Sequence, residues 1–137
     1  MKYLLDTHAL IWCLSDDAAL SEEARQVVLD ESNEIYASVA SLWELGIKYS
    51  AGKLDIHPDM VAAGAAQSGF TILDIVAPHA IAVANLPVIA DHRAPFDRLL
   101  VTQAKAEGMI IITNDRKIIE NYQLQTLFCE RALTQPA

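Results

Sequence analysis

The sequence predicts an α/β fold of three layers, α/β/α, with a central, mostly parallel sheet of about five strands. Two observations carry this. Short apolar runs that suit strands alternate with longer segments of helical periodicity, the pattern of parallel strands joined by crossover helices. In addition, the run Met109-Ile110-Ile111-Ile112-Thr113 lacks polar alternation, as a strand covered on both faces does. With 137 residues there is material for a single domain, 1–137, with a sizeable core, and a hydrophobic fraction of 53% excludes disorder.

Residues 2–5, Lys-Tyr-Leu-Leu, read as the first strand, which ends abruptly at Asp6-Thr7-His8 before a helix to about Leu14. Ligands of open α/β sheets bind off the carboxyl ends of strands, which suits Asp6 to chemistry; from position alone, the plainer reading is a helix N-cap. Ser21 caps a second helix with Glu22 and Glu23 in its first turn. Residues 34–37 make the second strand, and Ser38 caps a helix to about Ser50, stopped by Gly52. Val39, Leu42, Trp43, Gly46 and Tyr49 form its apolar face, so Trp43, like Trp12, is expected in the core and not as a base-stacking platform. Glu44 projects with Ser41 and Lys48, as one half of an exposed i,i+4 ion pair.

Pro58 opens a helix that Gly69 stops, and its Ala-rich stretch 61–66 permits close packing of the kind found at a dimer interface. Residues 70–73 make the third strand, and Pro78 starts a helix through Asn85. Then comes one continuous unit, His92 to Asp115: a loop closed by Pro95, a helix, a stop at Gly108, the buried strand, and a polar turn. Residues 116–122 form a short helix and 126–129 the last strand.

Within that unit Asp97 stands out. Leu100, Val101 and Ala104 lie three, four and seven residues after it, so it shares their apolar face. A carboxylate there requires a charge partner, hydrogen-bond donors or a metal. Asp6, Asp97 and Asp115 all fall at strand ends or helix starts on what should be one edge of the sheet. At ~5 Å and an effective dielectric of ~20, each such pair repels by roughly 3 kcal/mol. Divalent cations relieve the repulsion, and all-oxygen ligation suits Mg²⁺ or Mn²⁺. The chemistry that follows is metal-assisted phosphodiester hydrolysis.

Competing chemistries lack their signatures. There is no GxxxxGK[ST] loop, no GxGxxG after a strand and no GxSxG elbow, and His57, His79 and His92 show no zinc spacing. An aspartyl nucleophile of the haloacid dehalogenase kind would want a second Asp at position 8, which is His8. Cys13 and Cys129 sit in apolar contexts without CxxC spacing and are expected as buried free thiols in a reducing cytosol. No apolar run reaches the ~18 residues of a membrane span, and no signal peptide is expected. The net charge of −8 has the wrong sign for an ordinary nucleic-acid binder. An RNA substrate would therefore depend on metal and on a local basic rim, for which Arg93, Arg98, Arg116, Lys117 and Lys48 are the candidates; plain surface charge is the alternative.

Four segments then acquire a common meaning: Asp6-Thr7-His8-Ala9-Leu10-Ile11-Trp12; Ser41-Leu42-Trp43-Glu44-Leu45-Gly46-Ile47-Lys48 with Gly52-Lys53-Leu54; Pro95-Phe96-Asp97-Arg98-Leu99-Leu100; and Ile112-Thr113-Asn114-Asp115. In this order, over nearly the whole chain, they resemble a PIN domain, and more narrowly the VapC-type toxin ribonucleases of type II toxin–antitoxin pairs. The resemblance implies an endoribonuclease whose acidic quartet holds Mg²⁺ or Mn²⁺, falling here on Asp6, Glu44, Asp97 and Asp115. It assigns Glu44 to the site where periodicity does not. It also implies supporting roles for Thr113, a hydroxyl beside the last acid, and for Thr7. A homodimer in the cytoplasm and a small cognate antitoxin complete the implied picture. One departure is visible: where the family subset reads Asp-Pro-Phe-Asp, the first position here is Ala94, so an auxiliary polar contact is lost while the quartet stays intact. The alternatives are a PIN scaffold that binds RNA or protein without cutting, and a nuclease acting on DNA.

Overall fold

The computed structural model describes residues 1–90 and 94–132. Five strands, β1 (Lys2–Leu5), β2 (Glu34–Ser38), β3 (Thr71–Leu73), β4 (Ile110–Thr113) and β5 (Thr126–Phe128), form a wholly parallel sheet in the order β3-β2-β1-β4-β5. The helices are α1 (Thr7–Ser15), α2 (Glu22–Leu29), α3 (Val39–Ser50), α4 (Pro58–Gln67), α5 (Ala77–Ala82), α6 (Pro95–Glu107) and α7 (Arg116–Asn121). A 3-10 turn, Val83–Asn85, stands where the sequence suggested continuous helix. Leu86 behind it is extended, as the residue before Pro87 should be.

Neighbouring residues of a strand point to opposite faces, and here both faces are buried. Leu4 and Ile111 pack with Leu100, Val101 and Ala104 of α6, whereas Leu5 and Ile112 pack with Ala9 and Leu10 of α1 and Val61 and Ala65 of α4. The sheet is thus the middle of three layers. From β1 the chain steps outward through β2 to β3, then returns to lay β4 along the other side of β1. That reversal opens a crevice at the carboxyl ends of β1 and β4, the usual ligand position in such sheets.

Helix α3 departs from its expected orientation. Its buried residues are Ala40, Ser41 and Leu45, while Trp43 is 57% and Ile47 48% exposed. Small side chains on the inner surface let α3 lie close to α1 and α6, and that turns its bulky residues outward. The Ala-rich part of α4 serves a local purpose too: a Cβ at Gly64 would meet Leu14 Cδ1 at 3.4 Å, so the small residues seat α4 on α1. A buried polar chain was not legible beforehand. Ser38 Oγ donates to Gln103 Oε1 at 2.5 Å, and Gln103 Nε2 donates to the Asp74 carbonyl at 3.3 Å. The Val76 N–H donates to His79 Nδ1, which leaves the imidazole proton on Nε2, 3.2 Å from Glu107 Oε2. Both cysteines are free thiols, and burial pushes Cys13 up to about 11. Among the described residues no helix is long and apolar enough to cross a membrane.

Leu100 is fully buried at the centre of the α6–sheet contact. Leu100→Ala is expected to lower the unfolding free energy by about 2–5 kcal/mol, read from urea denaturation.

Candidate active site

The crevice is built from the strand ends upward. Beyond β1 the Asp6 N–H still donates to the Ile112 carbonyl, at 3.0 Å, so the residue is fixed to the ladder of β4. Its Oδ1 accepts from the Ala9 N–H at 2.8 Å, capping α1, and its Oδ2 accepts from the Thr113 hydroxyl. The same hydroxyl accepts from the Asp115 N–H at 2.9 Å. Asp115 in turn caps α7, accepting from the Lys117 N–H at 2.9 Å. Asp6 therefore is the N-cap its position suggested, and it also faces the crevice.

Glu44 comes from the middle of α3. Its Oε1 accepts from the Thr7 hydroxyl at 2.7 Å, and Thr7 Oγ1 in turn lies 3.0 Å from the buried Ser41 hydroxyl. Its Oε2 lies 3.4 Å from Lys48 Nζ, so the expected i,i+4 pair exists, but at the mouth of a cavity. Asp97 stands in the first turn of α6, where the helix dipole favours a negative charge. One turn on, Leu100, Val101 and Ala104 are buried, as their spacing required. A cavity of about 330 Å³ results, lined by Asp6, Glu44, Asp97 and Asp115 together with Thr7, His8, Lys48 and Asn114. All four acids of the proposed quartet border this one space.

The expected basic rim is reduced. Lys48 borders the cavity, but Arg98 donates to the Pro87 carbonyl at 2.9 Å and to the Tyr122 hydroxyl at 3.2 Å. Arg116 lies over the Phe128 ring, 4.3 Å from its centroid. Neither arginine lines the cavity, since each is engaged elsewhere on its own side of the fold. Arg93, with His92, lies outside the described residues. His8, which the sequence places near the candidate chemistry with a plain hydrogen-bonding role as the alternative, lines the cavity; Asn114 in its wall and Ser41, which reaches it through Thr7, were not assigned. The signal was adjacency: each stands within three residues of an acid of the quartet.

Burial pushes the Asp6 carboxyl up to about 6, with the charge of Asp97 adding to the rise. The Thr113 and Ala9 hydrogen bonds pull the other way. Among the described residues no three His, Cys, Asp or Glu side chains are drawn close enough to cage an ion by themselves. The donor set nevertheless fits Mg²⁺ or Mn²⁺: it is all oxygen, and such ions are held through one or two carboxylates, with waters and substrate phosphate completing the shell. A cavity bordered by four carboxylates and a single lysine is short of positive charge, and a divalent cation supplies it.

Fold and site thus define a parallel α/β domain with an acidic, oxygen-donor crevice at the switch point of its sheet. The profile of the PIN domain matches residues 3–124, and the chain belongs to that family of nucleases. Its fold is similar to VapBC2 from Rickettsia felis bound to a promoter DNA fragment, with a TM-score of 0.67, 21% identity, and 95% of this chain and 100% of that one covered. DNA-bound VapBC from Salmonella typhimurium gives 0.65 and 23%, covering 93% and 98%. VapBC-1 from nontypeable Haemophilus influenzae gives 0.62 and 17%, again covering 93% and 98%. No curated protein matches the chain.

The raised Asp6 has a measurable consequence in metal-free protein. Folding favours its protonated form, so this contribution to stability is full below the ordinary value of 3.8 and is lost as pH rises through about 6. The shift corresponds to roughly 3 kcal/mol. Thermal unfolding in EDTA should show that loss over this window, and Asp6→Asn, which keeps the cap acceptor, should remove Asp6's share of it.

Proposed function

We propose that this chain is a Mg²⁺- or Mn²⁺-dependent endoribonuclease of the VapC type, the toxin of a toxin–antitoxin pair acting in the cytoplasm. The observation that carries the proposal is the convergence of Asp6, Glu44, Asp97 and Asp115, drawn from four distant segments, on one cavity at the sheet's switch point. In this reading those carboxylates hold the ion, which when bound activates water and stabilises charge on the phosphate. Thr113 keeps Asp6 turned toward the cavity, and Thr7 does the same for Glu44. Lys48, beside Glu44, meets a phosphate oxygen of the incoming strand. RNA as substrate, a homodimer and a small antitoxin partner rest on the family resemblance; the VapBC likeness supports the last of these.

The second reading, a scaffold that binds without cutting, is favoured by one observation: among the described residues the acids ring the cavity without forming a cage. Incubation of purified protein with single-stranded RNA and Mn²⁺ separates the two. Cleavage that stops in EDTA and falls at least about 100-fold in Asp97→Asn, more than loss of an outer partner costs, supports the nuclease. RNA binding unchanged in EDTA, with no product, supports the scaffold. Single-stranded DNA in the same assay tests the substrate.

Thr113→Val is expected to lower cleavage by about 10–100-fold with the carboxylates intact, as loss of a ligand-orienting partner does. Its effect should fall on metal affinity, read as the Mn²⁺ concentration at half-maximal rate.

A further inference from the structure

One aromatic ring at the acidic cavity takes no part in holding the carboxylates. His8, in the first turn of α1, lines the cavity and is exposed. Among the described residues its imidazole makes no hydrogen bond, whereas Thr7 and Lys48 in the same wall are both engaged with Glu44. What His8 has is a neighbouring ring: it stacks with Trp12, centroids 6.1 Å apart and planes 28° from parallel. We infer that the His8 ring, backed by Trp12, is a stacking platform for an unpaired nucleobase of the RNA strand whose phosphate enters the acidic cavity.

The platform follows from the spacing along α1. Positions 8 and 12 are about one turn apart, so both side chains leave the helix on the same side. Helical side chains lean toward the N-terminus, which carries Trp12 toward His8. Trp12 is half-buried and packs against the core, as its apolar setting required. It therefore holds the smaller ring at the crevice from a fixed position. A ring steadied in this way before a ligand arrives loses less freedom on binding.

Charge selects a base as the group that meets this ring. The chain carries −8, four carboxylates border the cavity, and among the described residues Lys48 is the one Lys or Arg in its wall. A phosphate backbone gains little here beyond that lysine and a bound cation. Stacking needs no charge, because every base has a π-face and an imidazole offers one in return. Bases inside a duplex are already stacked on both sides, so the strand must be open at this nucleotide. The contact tolerates any base, which makes an unpaired nucleotide, and not a sequence, the property read at this position. That the stacked nucleotide adjoins the bond to be cut rests on the proposed nuclease reading; the stacking itself does not.

Binding of a short single-stranded RNA that carries one 2-aminopurine, moved a nucleotide at a time along the strand, tests the platform in Mn²⁺. The full chain is used as Asp97→Asn, which is expected to cut slowly enough for binding to be read first. At one position the 2-aminopurine emission should change on binding. His8→Ala in that chain should abolish the change and weaken binding by at least about fivefold, whereas His8→Phe, a ring without the nitrogens, should keep both within about twofold. Circular dichroism checks that each variant keeps the fold. Absence of any position-specific change, unaltered affinity in His8→Ala, or His8→Phe as weak as His8→Ala overturns the platform. An equal loss on RNA annealed to its complement overturns it too, since no base is open there. His8-dependent binding by a wild type that leaves RNA uncut with Mn²⁺ defeats the nuclease reading alone; cleavage without His8-dependent binding defeats the platform alone.

Discussion

A single hydroxyl joins the two central strands at the point where chemistry is expected. Thr113, fully buried, donates to the Asp6 carboxylate and accepts from the Asp115 backbone, so the ends of β1 and β4 are tied by side chain as well as by ladder. Without that donor Asp6 would be a nearly buried carboxylate held by a single backbone cap, in surroundings that already favour its proton. The arrangement presupposes β1 and β4 as neighbours, and hence the reversal of strand order. It also presupposes two covered faces, since only a strand buried on both sides excludes water from Thr113.

The remaining acids are distributed so that the fold tolerates them. Asp6 and Asp115 cap helices, and Asp97 lies in the first turn of one, so three negative charges meet the positive ends of α1, α7 and α6. Glu44 has no such end to meet and instead relies on Thr7 and Lys48. The four stand around the cavity wall, where none of the described trios forms a closed cage, and Asp97 is close enough for its charge to raise Asp6. A depression on the outer side of α3 and α5 contrasts with the cavity: its described lining carries Arg98 and no acid, in a strongly acidic chain.

Strands and helix starts were legible because their causes are local. Ile110–Thr113 reads as a buried strand from composition alone, and Ser21, Ser38, Pro58 and Gly108 mark helix limits through backbone chemistry that acts within a turn. The spacing of Leu100, Val101 and Ala104 behind Asp97 located that acid against the core. Less was legible where several neighbours compete. Periodicity placed Trp43 inward, yet α3 meets α1, α4 and α6 through Ala40, Ser41 and Leu45, and the large residues turn to solvent. For the same reason the Gly64 side of α4 packs on Leu14, and the chain from Ser38 to Gln103 joins residues with no sequence relation.

By itself the sequence determined the element types, a parallel sheet covered on both faces, and the acidic character of three strand-end or helix-start positions, because each follows from side-chain patterns within a few residues. Tertiary structure alone decided that β4 returns to the far side of β1, that Trp43 looks away from the core, and that two arginines turn from the crevice; Glu44, which side-chain periodicity left outside, borders the cavity where the family resemblance had put it. Those outcomes depend on which surfaces pack most closely in three dimensions and on which partner a long side chain can reach. Neither quantity has a value until the helices are laid on the sheet.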